Sequence, residues 1–177
     1  MQRYQVITQN ELEMIHDNSL RIMENIGIVM PEDISKEILK KRGCTVDGDI
    51  VRFPRKLVEE CIRLAPSSYT LYGRDSSKNV PISCERSAYA GPYGSPFVLD
   101  MDRGRRSGTM ESFIEIVKIV DKLKYLDIQS HISCETTDIP ENERPIRMVY
   151  ENMKYSGKPL MGSIYGYEAA MNCIELA

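Results

Sequence analysis

The last third of the chain constrains its fold most. From Leu126 it reads LDIQSHISCETTDIP, then IRMVYENMKYSGKP, then LMGSIYGYEAAMNCIELA. An extended stretch, a loop and a helical stretch are followed by a second extended stretch, a loop and a second helical stretch. Strands alternating with helices build a parallel sheet, open or closed, with helices covering it. The expectation is therefore an α/β fold. A closed (β/α)8 barrel needs about 250 residues, so residues 126–177 would supply about two of its eight units. The chain then reads as the amino-terminal part of a larger enzyme, with the barrel incomplete.

Upstream, the punctuation is of a different kind. Thr8-Gln9-Asn10-Glu11 has the spacing of a capping box, in which a hydroxyl and a carboxylate satisfy each other's backbone donors. Leu12, Ile15, Ser19, Ile22, Met23 and Ile26 follow at helical period, and Gly27 provides a left-handed stop. A second helix is expected from Pro31 to Gly43, with Lys40-Lys41-Arg42 in its last turn complementing the helix dipole. Cys44 to Phe53 reads as a hairpin turning at Asp47-Gly48, and Pro54 opens a third helix that stops before Pro66. Tyr69–Tyr72, Val80–Ser83 and Pro96–Asp100 are short strand candidates among Gly-, Pro- and Ser-rich turns. Arg103 to Arg106 reads as a solvated turn. Thr109 then caps a helix striped with Phe113, Ile116, Val117, Val120 and Leu123. Three regions result: a helix-rich leader with a hairpin (1–68), a small β region (69–108) and the strand–helix repeat (109–177).

Composition excludes several function classes. A formal net charge of −3, with Lys and Arg scattered among carboxylates, lacks the concentrated positive charge of a nucleic-acid binder. No apolar run approaches the roughly 18 residues that cross a bilayer, and the first residues lack a signal peptide's apolar core, so a cytoplasmic protein with no membrane partner is expected. Five cysteines, widely spaced and without a CxxC pair, suit reduced thiols better than a disulfide framework or a zinc ribbon. No phosphate loop is present, since the Gly91-Pro92-Tyr93-Gly94 turn has neither GxxxxGK nor a GxGxxG opening a helix.

Several consecutive stretches resemble the trimethylamine methyltransferase family, the corrinoid-dependent methylamine methyltransferases. They are LEMIHDNSLRIMENIGIVM, ILKKRGCTVDGDIVRFPRKLVEECIRLAPSSYTLYGRD, AGPYGSPFVLDMDRGRRSGTMESFIEIVKIVDKL and KPLMGSIYG, in that order from about Glu11 onward. The resemblance implies helices and a small β region leading into the first strand–helix units of a (β/α)8 TIM barrel. It implies a methylated amine, trimethylamine or a quaternary amine such as glycine betaine, bound in the barrel mouth. The methyl group passes to the Co(I) cobalamin of a separate corrinoid protein, and no cofactor binds tightly to this chain. One branch of the family carries pyrrolysine in its carboxy-terminal half and the other lacks it. The deciding position, like the catalytic residues, is expected beyond Ala177.

In a barrel, functional side chains lie at the carboxyl ends of strands and in the loops that follow. The first extended stretch offers His131, Ser133, Cys134, Glu135 and Asp138, and the second offers Ser163, Tyr165 and Tyr167. A quaternary ammonium carries no N–H, so aromatic faces and nearby carboxylates must recognise it. Tyr89, Tyr93 and Tyr165 are candidate walls, with Glu135 or Asp138 as the anionic neighbour and His131 as a further candidate contact. The alternative is that Tyr89 and Tyr93 merely pack a glycine-rich turn. For His131 the alternative is a hydrogen-bonded interior histidine, while His16 decorates a helix surface. His131 and Cys134 fall short of the three protein ligands of a catalytic zinc site, so no metal is assigned and Cys134 is taken as a structural thiol. Beside the enzyme stands a second reading: a non-catalytic module that binds a partner chain, another copy of itself or a methylated amine.

Overall fold

Thr8 starts the first helix as its spacing requires. In the computed structural model, which describes residues 6–162 and 166–176, Glu11 N donates to Thr8 Oγ1 and Thr8 N donates to Glu11 Oε2. Helix α1 (Gln9–Arg21) continues into a wider π turn (Ile22–Ile26) closed by Gly27 N donating to Ile22 O. Gly27 has φ +89°, and a Cβ there would lie 2.7 Å from Val51 O, so both conformation and space require glycine.

The chain divides into two compact units, Met1–Pro66 and Ser67–Ala177. In the first, strand β1 (Ile28–Val29), helix α2 (Asp33–Lys41), strands β2 (Thr45–Asp47) and β3 (Ile50–Arg52) and helix α3 (Arg55–Leu64) follow α1. Helix α2 begins two residues later than its proline suggests, because the Glu32 carboxylate accepts from Ile34 N and takes the cap. The β2–β3 hairpin turns at Gly48-Asp49, and β3 also pairs antiparallel with β1, giving the order β1-β3-β2. Leu20, Cys44 and Val51 are its buried apolar residues. The expected stripe on α1 is corrected: Leu12, Ile15, Ile22 and Ile26 are exposed, and Leu20, off that stripe, is buried.

The second unit opens with two antiparallel hairpins, β4 (Ser68–Leu71) with β5 (Val80–Ser83) and β6 (Phe97–Asp100) with β7 (Gly104–Ser107). Strand β7 replaces the expected turn at Arg103–Arg106. Arg106 there pairs with Asp100 across the hairpin, and the Arg105 guanidinium lies 3.7 Å over the Phe97 ring. Helices α4 (Met110–Lys122), α5 (Arg144–Tyr155) and α6 (Tyr167–Leu176) follow. Phe113 and Val117 of α4, Met148 of α5, and Ile132 and Cys134 between the helices form the core, all at most 3% exposed. Burying side chains of this kind contributes about 1.5–3 kcal/mol each.

Among the described residues the extended stretches expected after Leu126 and within KPLMGSIYG take part in two isolated parallel bridges, Ala90 with Ile128 and Gln129 with Leu160, while residues 163–165 lie outside the described ones. Three extended segments therefore lie side by side, with α4 between the first and second in sequence and α5 between the second and third. The parallel set also begins earlier than the 126–177 repeat, at Ala90. Its ladder is broken for a chemical reason. Gly91 N bonds Ile128 O but Gly94 N, three residues on rather than two, bonds Ile132 O, and Pro96, two after Gly94, has no N–H to donate. The described residues form a mixed α/β structure and contain no closed barrel.

Candidate functional site

The loop from Gly91 to Pro96 runs beside the segment from Ser130 to Glu135. Ser130 Oγ donates to Gly91 O at 2.7 Å, Gly94 N to Ile132 O at 2.8 Å and Glu135 N to Ser95 O at 2.9 Å. Gly108 N in turn donates to Pro96 O, and Gly108 O accepts from Thr137 N and Thr137 Oγ1. This mesh places Tyr93, 45% exposed, on a loop bonded to the segment that ends at half-buried Glu135. Ile132 and Cys134 pack into the core, while His131, Ser133 and Glu135 alternate with them along the chain.

The expected residues separate into distinct places. Tyr89 is exposed, but its backbone N donates to Asp127 Oδ2 and its carbonyl accepts from Ile128 N, at the opposite end of the paired segments from Glu135. Four residues of extended chain, up to about 13 Å, separate it from Tyr93. His131 is fully buried, and burial pulls its imidazole below the ordinary value, so it is held neutral. Asp138 Oδ1 accepts from Met110 N at 2.9 Å, the first residue of α4, where a carboxylate also complements the helix dipole. Tyr167 opens α6 and is exposed. Ser163 and Tyr165 lie outside the described residues. Tyr93 and Glu135 are thus the pair that the backbone mesh brings to one end of the parallel segments.

Cys134 is inert by environment: burial, with the Glu135 and Asp138 carboxylates adding to it, pushes its thiol up to about 11. Among the described residues no group of three or more His, Cys, Asp or Glu side chains is placed to share a metal ion. No helix among them is long and apolar enough to cross a membrane.

One polar cluster has no counterpart in the sequence reading. Asp121, near the end of α4, accepts from Lys78 Nζ (2.7 Å), Ser156 Oγ (3.1 Å) and Gly157 N (3.1 Å). Burial alone would raise its carboxyl, but these donors outweigh burial and hold it far below the usual carboxylate range. Lys158 Nζ donates to the carbonyls of Val120, Leu123 and Leu126, closing the carboxyl end of the same helix. The only sequence signal for this clamp is a charged residue within an amphipathic helix, which reads equally well as a solvated face.

The described residues thus form an α/β protein with Tyr93 and Glu135 at one end of its parallel segments. Over residues 1–177 the chain matches the family model described as Trimethylamine methyltransferase (MTTB), and it belongs to that family. It is 31% identical over 175 residues to a glycine betaine methyltransferase of Desulfitobacterium hafniense (strain Y51), covering 99% of this chain and 36% of that protein. It is 24% identical over 160 residues to a proline betaine:corrinoid methyltransferase of Eubacterium limosum, covering 89% of this chain and 33% of the relative. A trimethylamine methyltransferase of Methanosarcina thermophila matches at 26% over 128 residues, 69% of this chain and 26% of the relative. The chain spans about a third of the length of the first two of these curated relatives.

Proposed function

We propose that this chain forms the opening units of a (β/α)8 barrel in a corrinoid-dependent methyltransferase, one that moves a methyl group from a methylated amine to the cobalamin of a partner corrinoid protein. The family match along the whole chain carries this reading. The parallel bridges at Ala90–Ile128 and Gln129–Leu160, with a helix following each of the first two segments, support the barrel. In it, Tyr93 and Glu135 stand at the carboxyl ends of the strands, where barrel enzymes hold their substrates.

The chemistry asked of these residues is recognition and alignment. A quaternary amine already bears the positive charge that makes its methyl group electrophilic. An aromatic face and a carboxylate hold that charge without N–H donors. Fixing the methyl group in line with its acceptor is worth up to about 7–11 kcal/mol of barrier in favourable intramolecular cases. The names of the proline betaine:corrinoid and L-carnitine:corrinoid methyltransferases among the relatives support a cobalamin carried by a separate protein. In this reading the cobalamin belongs to the partner protein.

The test is methyl transfer by the full-length protein to its corrinoid partner, reduced to Co(I) and followed by visible absorbance. Conversion to methyl-Co(III) is expected with at least one of glycine betaine, proline betaine and trimethylamine. No conversion with any of the three would overturn the assignment.

A further inference from the structure

One cation beside the Tyr93–Glu135 end is left over when the other charges are matched. Every other arginine of the second unit has a hydrogen bond or ion pair, Arg74 and Arg144 with backbone carbonyls and the rest with carboxylates. Arg105 has neither among the described residues, and its guanidinium only stacks on the Phe97 ring, 3.7 Å from the centroid. Stacking uses the flat face of the group. Its N–H donors lie in the plane and remain free along the edge. The ring beneath also fixes the plane, so less freedom is lost when those donors are taken up.

The hairpin's register sets which way this group faces. Val98 and Arg106 stand opposite each other on one face: Val98 packs against the core built on α4, and Arg106 Nη2 donates to Ser112 Oγ of α4 at 3.2 Å. Phe97, Leu99 and Arg105 alternate with them, so they point away from α4, and all three are exposed. Arg105 stands opposite Leu99, yet its guanidinium leans back over Phe97, towards the base of the hairpin rather than its tip. That base is joined to the candidate site. Ser95 O accepts from Glu135 N, and Phe97 follows Ser95 by two residues, about 7 Å of extended chain. The Glu135 carboxylate also has no hydrogen bond or ion pair among the described residues.

We infer that Arg105 is a specificity-determining residue, which receives the carboxylate of a substrate whose quaternary ammonium lies at Tyr93 and Glu135. This rests on the amine site proposed above and adds the second pole of a zwitterion to it. In the proposed barrel the helices form the outer ring, so a hairpin face turned away from α4 is turned towards the mouth. A carboxylate takes two parallel N–H donors from the free edge of the guanidinium, a match that a point charge does not offer. Glu135 repels the same carboxylate, so the two charges together admit a zwitterion in one orientation. A methylated amine without a carboxylate gains nothing from Arg105.

Calorimetric titration of the full-length protein with glycine betaine, L-carnitine and choline tests this, choline carrying the same trimethylammonium group without a carboxylate. At least one of the two zwitterions is expected to bind about tenfold or more tightly than choline. Arg105→Gln should remove that margin and leave choline binding as it was. Zwitterions no tighter than choline, or a margin kept in Arg105→Gln, would overturn the inference alone. No binding of any of the three overturns the amine site and, with it, the role of Arg105. Binding needs no corrinoid partner, so a margin that depends on Arg105 upholds the inference even where methyl transfer fails. Should Arg105→Gln lose choline as well, a crystal structure of the unaltered protein with the tighter zwitterion decides: its carboxylate on Arg105 upholds the assignment, and its carboxylate on any other group overturns it.

Discussion

Asp121 is the residue whose environment differs most from what its neighbours in sequence suggest. It lies in KIVDKL, where the flanking lysines imply solvent, yet its side chain is only 6% exposed and accepts three hydrogen bonds. Asp121→Asn should lower the stability of the second unit by about 2–3 kcal/mol at pH 7, a buried charged hydrogen-bond set being worth that much when one partner is removed. The pH dependence has a definite sign. The folded carboxyl lies below its unfolded value of about 3.9, so its contribution is complete above about pH 4 and is lost as the pH falls through the lower folded value. Denaturant titrations of wild type and variant should therefore converge by about 1 kcal/mol per pH unit below pH 4. Cys134 makes a second residue-scale prediction. With its thiol buried and pushed up to about 11, iodoacetamide at pH 7.5 should label exposed Cys61 and spare Cys134 until the chain unfolds.

Among the elements, those written in local chemistry were legible before the structure. The capping box of α1, the Thr109 cap of α4 and the Gly48 hairpin each depend on residues within a few positions of one another. The parallel segments were less legible, because a parallel ladder depends on residues dozens of positions away. The proline that interrupts this one, Pro96, belongs to the partner segment rather than to the segment from Leu126 to Glu135. Tyr93 was singled out as an aromatic wall on a glycine-rich loop and Glu135 by its place after an extended stretch, and Asp138 looked equivalent to Glu135 until its bond to α4 appeared. Gly108 ties the elements together at this end. A Cβ there would lie 2.2 Å from Glu135 O and 3.1 Å from Cys134 Sγ. Gly108→Ala should destabilise the second unit by about 1–3 kcal/mol through overpacking, measured by chemical denaturation, whereas Gly162→Ala, whose added Cβ meets none of the described residues within 4 Å, should be nearly neutral.

For the whole molecule, a family membership along the entire chain stands beside a local geometry in the second unit. The family match covers residues 1–177, while the chain spans about a third of the first relatives it matches. The proposed barrel and its proposed reaction rest on that match and on the parallel bridges. What those units contribute specifically is a tyrosine and a carboxylate at one end of the parallel segments, with a neighbouring carboxylate committed to capping α4. The most direct measurement compares Glu135→Gln with Asp138→Asn in the full-length protein, reading the KM for the methylated amine in methyl transfer to the Co(I) partner. Removing the Glu135 charge should raise KM about tenfold or more, on the order of 1.4 kcal/mol, while Asp138→Asn leaves KM unchanged and lowers thermal stability. Equal KM values for Glu135→Gln and wild type, or a larger rise for Asp138→Asn, would contradict the account.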